Sequence, residues 1–125
     1  METSRTAARR SALGRYGERV AARHLVEAGM TVLDRNWRCR QGEIDLVARE
    51  GEVLVVCEVK TRTSDACGSP HQAVTEDKLA RLRRLAAAWV AAHQAKPQGI
   101  RIDLVAVMRP PKGAAVIDHV RGLGQ

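Results

Sequence analysis

Residues 42–60 read GEIDLVAREGEVLVVCEVK, and this stretch decides the fold. It contains two runs rich in apolar and β-branched residues, 44–48 and 53–59, which are typical of strands. The polar segment Arg49-Glu50-Gly51-Glu52 lies between them and has the composition of a tight turn. The pattern predicts a β-hairpin whose two-residue loop is Glu50-Gly51.

This predicted register sorts the hairpin side chains onto two faces, because successive residues of a strand point to opposite sides. It places Asp45 opposite Val56, and Glu43 opposite Glu58. One face is apolar throughout and contains Ile44, Leu46, Ala48, Val53, Val55, Cys57 and Val59. The other face carries four charged side chains at one end, namely Glu43, Asp45, Glu58 and Lys60. The pairing that buries the apolar face therefore also gathers the charges.

The chemistry of the charged end is that of a metal site. Asp45 and Glu58 become diagonal neighbours, roughly 7–8 Å apart at the backbone, so both carboxylates can reach one cation. Mg²⁺ prefers oxygen ligands at about 2.0–2.1 Å. Lys60 lies on the same face, two residues after Glu58. Two carboxylates beside an amine suit metal-dependent cleavage of a phosphodiester.

Ion pairing is the competing explanation. Glu58 and Lys60 adjoin a nearly unbroken apolar run, where charges are costly unless they are paired or bound to a metal. A structural pair of Lys60 with Glu43 or with Asp45 would meet the same need. Each charge taken singly is also compatible with a solvated strand face.

Composition restricts the partners. The chain has 125 residues, enough for one compact domain, and a net charge of +7, which favours a polyanion such as nucleic acid. With two Trp, one Tyr and no Phe, a single-strand reader built on base stacking is disfavoured. The three cysteines lack the spacing of a zinc site or disulfide framework, and Cys57 is expected in the core. The absence of a membrane-length apolar run or a signal-peptide pattern predicts a cytoplasmic protein with no membrane partner.

Outside the hairpin, helical and strand patterns alternate. Apolar residues at helical spacing predict helices over 12–28 and, with Thr75 as N-cap, up to about residue 93. Further strands are predicted over 31–37, 100–107 and 116–120. The order is helix, three strands, helix and one or two strands, an α/β fold with a central mixed β-sheet flanked by helices.

The predicted organisation is one domain over residues 12–120. Residues 1–11 are polar and arginine-rich, which predicts a flexible basic N-terminus, and residues 121–125 form a C-terminal tail.

Two further carboxylates each have two interpretations. Glu18 borders the apolar stripe of the first helix, where it is either a surface carboxylate or a third acidic group directed at the metal end of the sheet. Asp103 is better explained by an ion pair with Arg101 or another basic group than by a place in the site.

Basic residues flank the predicted site in sequence. They could contact a phosphate backbone or simply be solvated. Gln72 could contact substrate or cap the second helix. The candidates for nucleic-acid binding are Arg38, Arg40, Arg62, Gln72, Lys78, Arg81 and Arg84.

Four short motifs together resemble the YraN-like family of small, largely uncharacterised bacterial proteins. They are Gly17-Glu18, Gly42-Glu43-Ile44-Asp45-Leu46, Glu58-Val59-Lys60-Thr61-Arg62 and Gly68-Ser69-Pro70. The resemblance covers about residues 14–120, and the combination is specific although each piece alone is weak. That family is similar to the PD-(D/E)XK nuclease superfamily, especially its Holliday-junction-resolvase-like branch. A restriction-endonuclease-like core is the fold it implies.

The resemblance also implies site roles. Asp45 and Glu58 match the acidic metal ligands, Lys60 matches the lysine that orients the attacking water, and Glu18 matches the helix glutamate of the resolvase-like branch. Gln72 and Lys78 fall where the second helix of the superfamily contributes. Ile44 stands where the motif usually has proline, a variation that the superfamily tolerates.

The implied activity is that of an endodeoxyribonuclease. Its cofactor would be Mg²⁺, with Mn²⁺ as a substitute. Its partner would be nucleic acid, DNA rather than RNA and branched DNA in particular, and a homodimer is compatible with this assignment.

Two non-catalytic hypotheses remain open. One is a nucleic-acid-binding module that keeps the fold; it should lose little affinity when Asp45 is mutated. The other is an adaptor to a DNA- or RNA-processing protein, whose signature would be an exposed apolar patch near Trp37 and no salt-dependent binding to nucleic acid.

Overall fold

The fold is a five-stranded mixed sheet between two helices. The computed structural model describes residues 2–63 and 74–124, with side chains from residue 12 onward. Its elements are α1 (Glu2–Glu27), β1 (Thr31–Cys39), β2 (Gly42–Glu50), β3 (Val53–Arg62), α2 (Glu76–His93), β4 (Gly99–Met108) and β5 (Val116–Val120). The strands lie in the order β1-β2-β3-β4-β5, and β3 with β4 is the parallel pair. The predicted α/β class and element order are confirmed, and they are consistent with a nuclease-like core.

Each helix covers one face of the sheet. The face under α1 holds a cluster that includes Ala21 and Leu25 of the helix, and the face under α2 holds a cluster that includes Leu85 and Trp89. β3 is therefore buried on both sides, which explains why its sequence is almost continuously apolar instead of alternating. Cys57 is fully buried under α1, as predicted. Among the described residues, neither helix has an apolar run long enough to cross a lipid bilayer.

The ends of the helices have clear causes. Gly29, with φ of 95°, follows α1 and allows the backbone N–H of Met30 to bond the carbonyl of Leu25. Thr75 caps α2 by accepting a hydrogen bond from the backbone N–H of Lys78 at 3.2 Å, as its sequence position predicts.

The start of the first helix differs from the sequence prediction. α1 begins at Glu2, not at residue 12, and the prediction missed this part because the first ten residues have no apolar stripe by which periodicity could detect a helix. The flexibility of residues 1–11 stays a prediction. After β5 the chain packs back onto β4, where the N–H of Leu123 donates to the carbonyl of Ile102 at 2.7 Å.

The register of the β2–β3 hairpin is two residues away from the prediction. Glu50 pairs with Val53, so the loop is Gly51-Glu52, and the predicted loop Glu50-Gly51 is wrong. The cause is Gly51, whose φ of 59° suits the first loop position, where tight hairpin turns favour glycine. A shift of two residues preserves the alternation of faces, so most of the predicted apolar face survives.

α1 lies close against β3 at Gly17. A Cβ atom at this buried position would overlap the side chain of Thr61 on β3. We expect Gly17→Ala to destabilise the protein by about 1–3 kcal/mol in urea unfolding, because the helix must move away from the strand. Gly14→Ala is the matched control: its Cβ meets no atom within 4 Å, and its helix propensity adds up to about 1 kcal/mol. Equal effects of the two substitutions would contradict the close approach.

Candidate metal centre

Three carboxylates from two elements converge beside the C-terminal half of α1. Glu18 of α1 meets Glu43 and Asp45 of β2, and one oxygen of each lies within 4.8 Å of the others. We call these three residues the carboxylate cluster. Glu18 and Asp45 are sequence-predicted ligands, whereas Glu43 was predicted only to belong to the charged end of the hairpin.

A local irregularity in β2 directs Asp45 to this position. Ile44 packs in the cluster under α2, while Leu46 packs under α1, so the alternation of faces is interrupted between them. Pairing of β2 with β3 begins only at Leu46–Cys57. Before Leu46, a side chain takes the place of a backbone acceptor between the two strands. The Asp45 carboxylate accepts a hydrogen bond from the backbone N–H of Val59 at 2.8 Å.

The prediction that Ile44 shares a face with Leu46 is therefore wrong. It assumed regular alternation along the whole strand, and no glycine or proline at residues 44–48 marks the interruption.

Asn36 on β1 lies against the same carboxylates. With its amide nitrogen facing them, it donates to Glu18 at 3.2 Å and to Glu43 at 3.3 Å. Its backbone is left-handed, with φ of 51°, a conformation that asparagine tolerates better than most residues. Sequence reasoning missed Asn36. The available signal was an asparagine within a predicted strand, where this residue is uncommon.

Burial and repulsion between charges raise the pKa values of Asp45 and Glu18. Burial, followed by the charge of Glu58, raises the pKa of Asp45 to about 7, against the hydrogen bond from Val59 and with smaller repulsion from Glu18 and Glu43. Burial also raises the pKa of Glu18, with repulsion from Glu43, while the Asn36 amide and Arg15 oppose the rise. Carboxylates held together against their own repulsion are typical of functional sites.

Glu58 and Lys60, both on β3, differ in their partners. Glu58 pairs with Lys78 of α2, with Oε1 and Nζ 2.8 Å apart. Lys60 is exposed and forms no ion pair with any residue of the described ranges 12–63 and 74–124. Glu43 instead pairs with Arg38 at 2.6 Å. Within these ranges, the proposed structural pair of Lys60 with Glu43 or Asp45 is not formed.

The residues around this geometry match a known family. Residues 17–107 match the family described as "Uncharacterised protein family UPF0102". The chain belongs to UPF0102. A UPF0102 protein from Nocardioides sp. (strain JS614) is 60% identical over 99% of this chain and 100% of its own length. One from Streptomyces coelicolor is 62% identical over 91% of this chain and 89% of its own, and one from Kineococcus radiotolerans is 61% identical over 91% and 94%.

The UPF0102 match includes the whole candidate site. It starts at Gly17, one residue before Glu18, and contains the carboxylate cluster together with Asn36, Glu58 and Lys60. This membership confirms the YraN-like resemblance seen in the sequence motifs. β5, with His119, lies outside the matched residues.

The predicted nucleic-acid contacts of this UPF0102 protein fall into separate groups. Lys78, Arg81 and Arg84 line one open groove of about 410 Å³ at the start of α2. Arg38 is 81% exposed despite its pair with Glu43, and Arg40 is exposed in the β1–β2 turn. Arg62 ends β3. Gln72 and the Gly68-Ser69-Pro70 motif lie outside the described residues.

Asp103 belongs to a different network, as its sequence context predicts. It is fully buried on β4 and accepts two bonds from Arg101, at 2.9 and 3.0 Å, one from His119 at 2.8 Å and one from the backbone N–H of Gly122 at 3.0 Å. Burial alone would raise the pKa of this carboxyl. The bonds from His119, Arg101 and Gly122 outweigh burial and lower the pKa to about 2. The predicted Arg101 pair is confirmed.

Proposed function

We propose that this UPF0102 protein is a Mg²⁺-dependent endodeoxyribonuclease that hydrolyses phosphodiester bonds. The observation that carries the proposal is the carboxylate cluster, in which Glu18, Glu43 and Asp45 present oxygens within 4.8 Å of one another. Only oxygen ligands are offered there, which is the donor set that a hard cation prefers. The raised pKa of Asp45 arises first from burial and then from repulsion by Glu58, with smaller repulsion from Glu18 and Glu43, and a bound cation would offset that repulsion.

Each residue has a distinct role in this proposal. Asp45 and Glu18 hold the metal, as the family resemblance implies, and Glu43 adds a carboxylate that the resemblance did not assign. Bound Mg²⁺ would lower the pKa of a coordinated water and offset charge on the phosphate. Lys60, exposed two residues after Glu58, orients the attacking water and contacts the scissile phosphate. Asn36 holds Glu18 and Glu43 in place.

The basic side chains supply affinity for the nucleic-acid backbone. Lys78, Arg81 and Arg84 share one groove at the start of α2, and Lys78 reaches from it to Glu58. Phosphate contacts of this kind are independent of sequence and weaken as salt concentration rises. Branched DNA, preferred over RNA, is the substrate class that the resolvase likeness suggests.

One observation favours a second candidate function. The Lys78–Glu58 pair occupies the carboxylate that was predicted as the second ligand, and both side chains are largely buried, at 23% and 16% exposure. A protein that keeps this pair would be a nucleic-acid-binding module without catalysis. The adaptor hypothesis expects an exposed apolar patch near Trp37. Trp37 packs with the cluster under α2 and is only partly exposed, so its position does not favour that hypothesis.

Metal binding and cleavage measured on the same variants test the proposal. Calorimetry with Mg²⁺ and Mn²⁺, together with cleavage of branched DNA, linear DNA and RNA, would compare wild type with Asp45→Asn. We expect Asp45→Asn to abolish measurable metal binding and to slow cleavage by more than about 100-fold, since even the partners of metal ligands are worth about 10–100-fold. Glu52→Gln, which removes an exposed carboxylate in the β2–β3 loop, is the matched control.

The outcomes separate the two candidate functions. Metal-dependent cutting that Asp45→Asn loses and Glu52→Gln retains supports the nuclease. Salt-dependent DNA binding by wild type, without metal binding or cutting, would reject the nuclease and leave the binding module.

A further inference from the structure

A second basic groove runs between α1 and β5. It has a volume of about 530 Å³, with Tyr16, Val20 and His24 of α1 on one side and the turn at residues 113–115 on the other. We call it the α1–β5 groove. With 3.6 residues per turn, Val20 projects from the opposite side of α1 to Glu18. The groove and the carboxylate cluster therefore flank the same helix.

Two arginines give this groove its charge. Arg19 and Arg23 both line it, and both are exposed. Residues four apart on a helix lie on one side of it, so their guanidinium groups can act together. Neither has an ion-pair partner within 4 Å among the side chains that the structure describes, although Glu27 also lines the groove. Next to them, the guanidinium of Arg109 lies 4.7 Å from the ring centre of Tyr16.

The inner wall of the groove is held by buried hydrogen bonds. His24 lines the groove, and its Nε2 lies 3.0 Å from Nδ1 of His119 on β5. His119 in turn bonds the fully buried carboxylate of Asp103 at 2.8 Å. These linked hydrogen bonds fix α1 against β5, so the groove exists before any ligand binds. Binding therefore loses less conformational entropy of the protein.

We propose that the α1–β5 groove binds the phosphodiester backbone of nucleic acid through Arg19 and Arg23. Guanidinium groups match phosphate oxygens in a two-bond geometry, and an open groove admits a chain rather than a small enclosed ligand. Because the carboxylate cluster and the groove flank the same helix, one polyanion that passes over α1 can contact both. The inference rests on the proposed function for its ligand, and it places part of the substrate away from the cleaved bond.

The test compares two variants of equal net charge. Arg19→Gln with Arg23→Gln lowers the net charge from +7 to +5, and so does Arg35→Gln with Lys96→Gln, which changes exposed residues of β1 and of the segment after α2. Fluorescence anisotropy with labelled DNA and RNA would be recorded at several KCl concentrations. We expect the groove variant to bind about tenfold more weakly. Its slope of log K against log salt should fall by about 2, since each phosphate contact contributes about 0.9.

The control should stay within about twofold of wild type. Equal weakening of both variants, or the absence of nucleic-acid binding by wild type, would overturn the inference. Calorimetry with Mg²⁺ distinguishes a failure of the groove inference from a failure of the proposed function. The groove variant should bind Mg²⁺ as wild type does. If wild type binds no Mg²⁺ but the groove variant still loses DNA affinity, the nuclease is rejected and the groove stands.

Discussion

We expect Asp45→Asn to stabilise the metal-free protein at pH 8 by up to about 4 kcal/mol. Burial and the charges of Glu58, Glu18 and Glu43 raise the pKa of Asp45 from 3.8 to about 7, and each unit corresponds to about 1.4 kcal/mol. Asparagine removes the charge but keeps an oxygen that can accept the hydrogen bond from Val59. The metal-free wild type, which keeps the proposed ligand Asp45, would then be less stable than the variant that lacks it.

The effect should depend on pH in a defined direction. Because the folded state holds the Asp45 proton more tightly than the unfolded state, wild type loses stability as pH rises from about 4 to about 7. The Asp45→Asn variant has no such loss, so the two proteins should differ little near pH 4 and most above pH 7. Urea unfolding in EDTA from pH 4 to pH 8 measures this difference. A stability difference that stays constant over that range would contradict the ionisation of Asp45 as its cause.

Magnesium should reverse the order of stability of wild type and Asp45→Asn. A cation that binds only the folded state stabilises it by mass action, and this gain requires the Asp45 ligand. Adding Mg²⁺ at pH 8 should therefore raise the stability of wild type and leave Asp45→Asn unchanged.

Asp103→Asn should be the most destabilising of these single substitutions, by about 3–5 kcal/mol at pH 7. The carboxylate accepts four hydrogen bonds in a fully buried site. The amide would turn a donor toward Arg101 and His119 and leave the guanidinium with Glu50 as its remaining charge partner. Asp118→Asn, at an exposed position of β5, should change stability by less than about 0.5 kcal/mol.

Acid should narrow the stability difference between wild type and Asp103→Asn by up to about 2.5 kcal/mol. The folded pKa of Asp103, about 2, lies below the ordinary value of 3.8, so its ionised form stabilises the fold above about pH 4. That contribution is lost as pH falls from about 4 to about 2. Denaturant unfolding of both proteins at pH 7, 4 and 2.5 would show it. If the difference in unfolding free energy between the two proteins is as large at pH 2.5 as at pH 7, the loss of stability comes from changed hydrogen-bond geometry and not from the charge of Asp103.

The hairpin shows which parts of the structure sequence could predict. Alternation of apolar and charged residues identified the strands, and any two-residue loop yields the same faces. The alternation pattern could not decide whether the hairpin loop is Glu50-Gly51 or Gly51-Glu52. Both pairs have turn composition, and the choice depends on the backbone angle of Gly51. The choice of loop moved the pairing by two residues and left the faces unchanged; the wrong face of Ile44 has a separate cause, the interrupted alternation at Asp45.

The carboxylate cluster was predicted only in part, for a different reason. Asp45 and Glu18 were proposed as neighbours, and the structure places them together, although their roles as ligands stay predictions. The interrupted pairing at Asp45 and the left-handed Asn36 depend on contacts between strands that no local pattern encodes. The pairing of Glu58 with Lys78 joins residues twenty positions apart through tertiary packing, which also lies beyond periodicity.

The order of the strands has a consequence for how this protein folds. Neighbouring strands of the sheet are also consecutive in the chain, and β1, β2 and β3 are joined by short turns, whereas β3 and β4 are connected through α2. Closing the short turns between the first three strands costs little chain entropy, and such local contacts form quickly. The first three strands alone bring Glu43, Asp45 and Glu58 toward one another. We infer that their repulsion is already felt when this early meander forms, so that neutralising Asp45 accelerates folding as well as slowing unfolding.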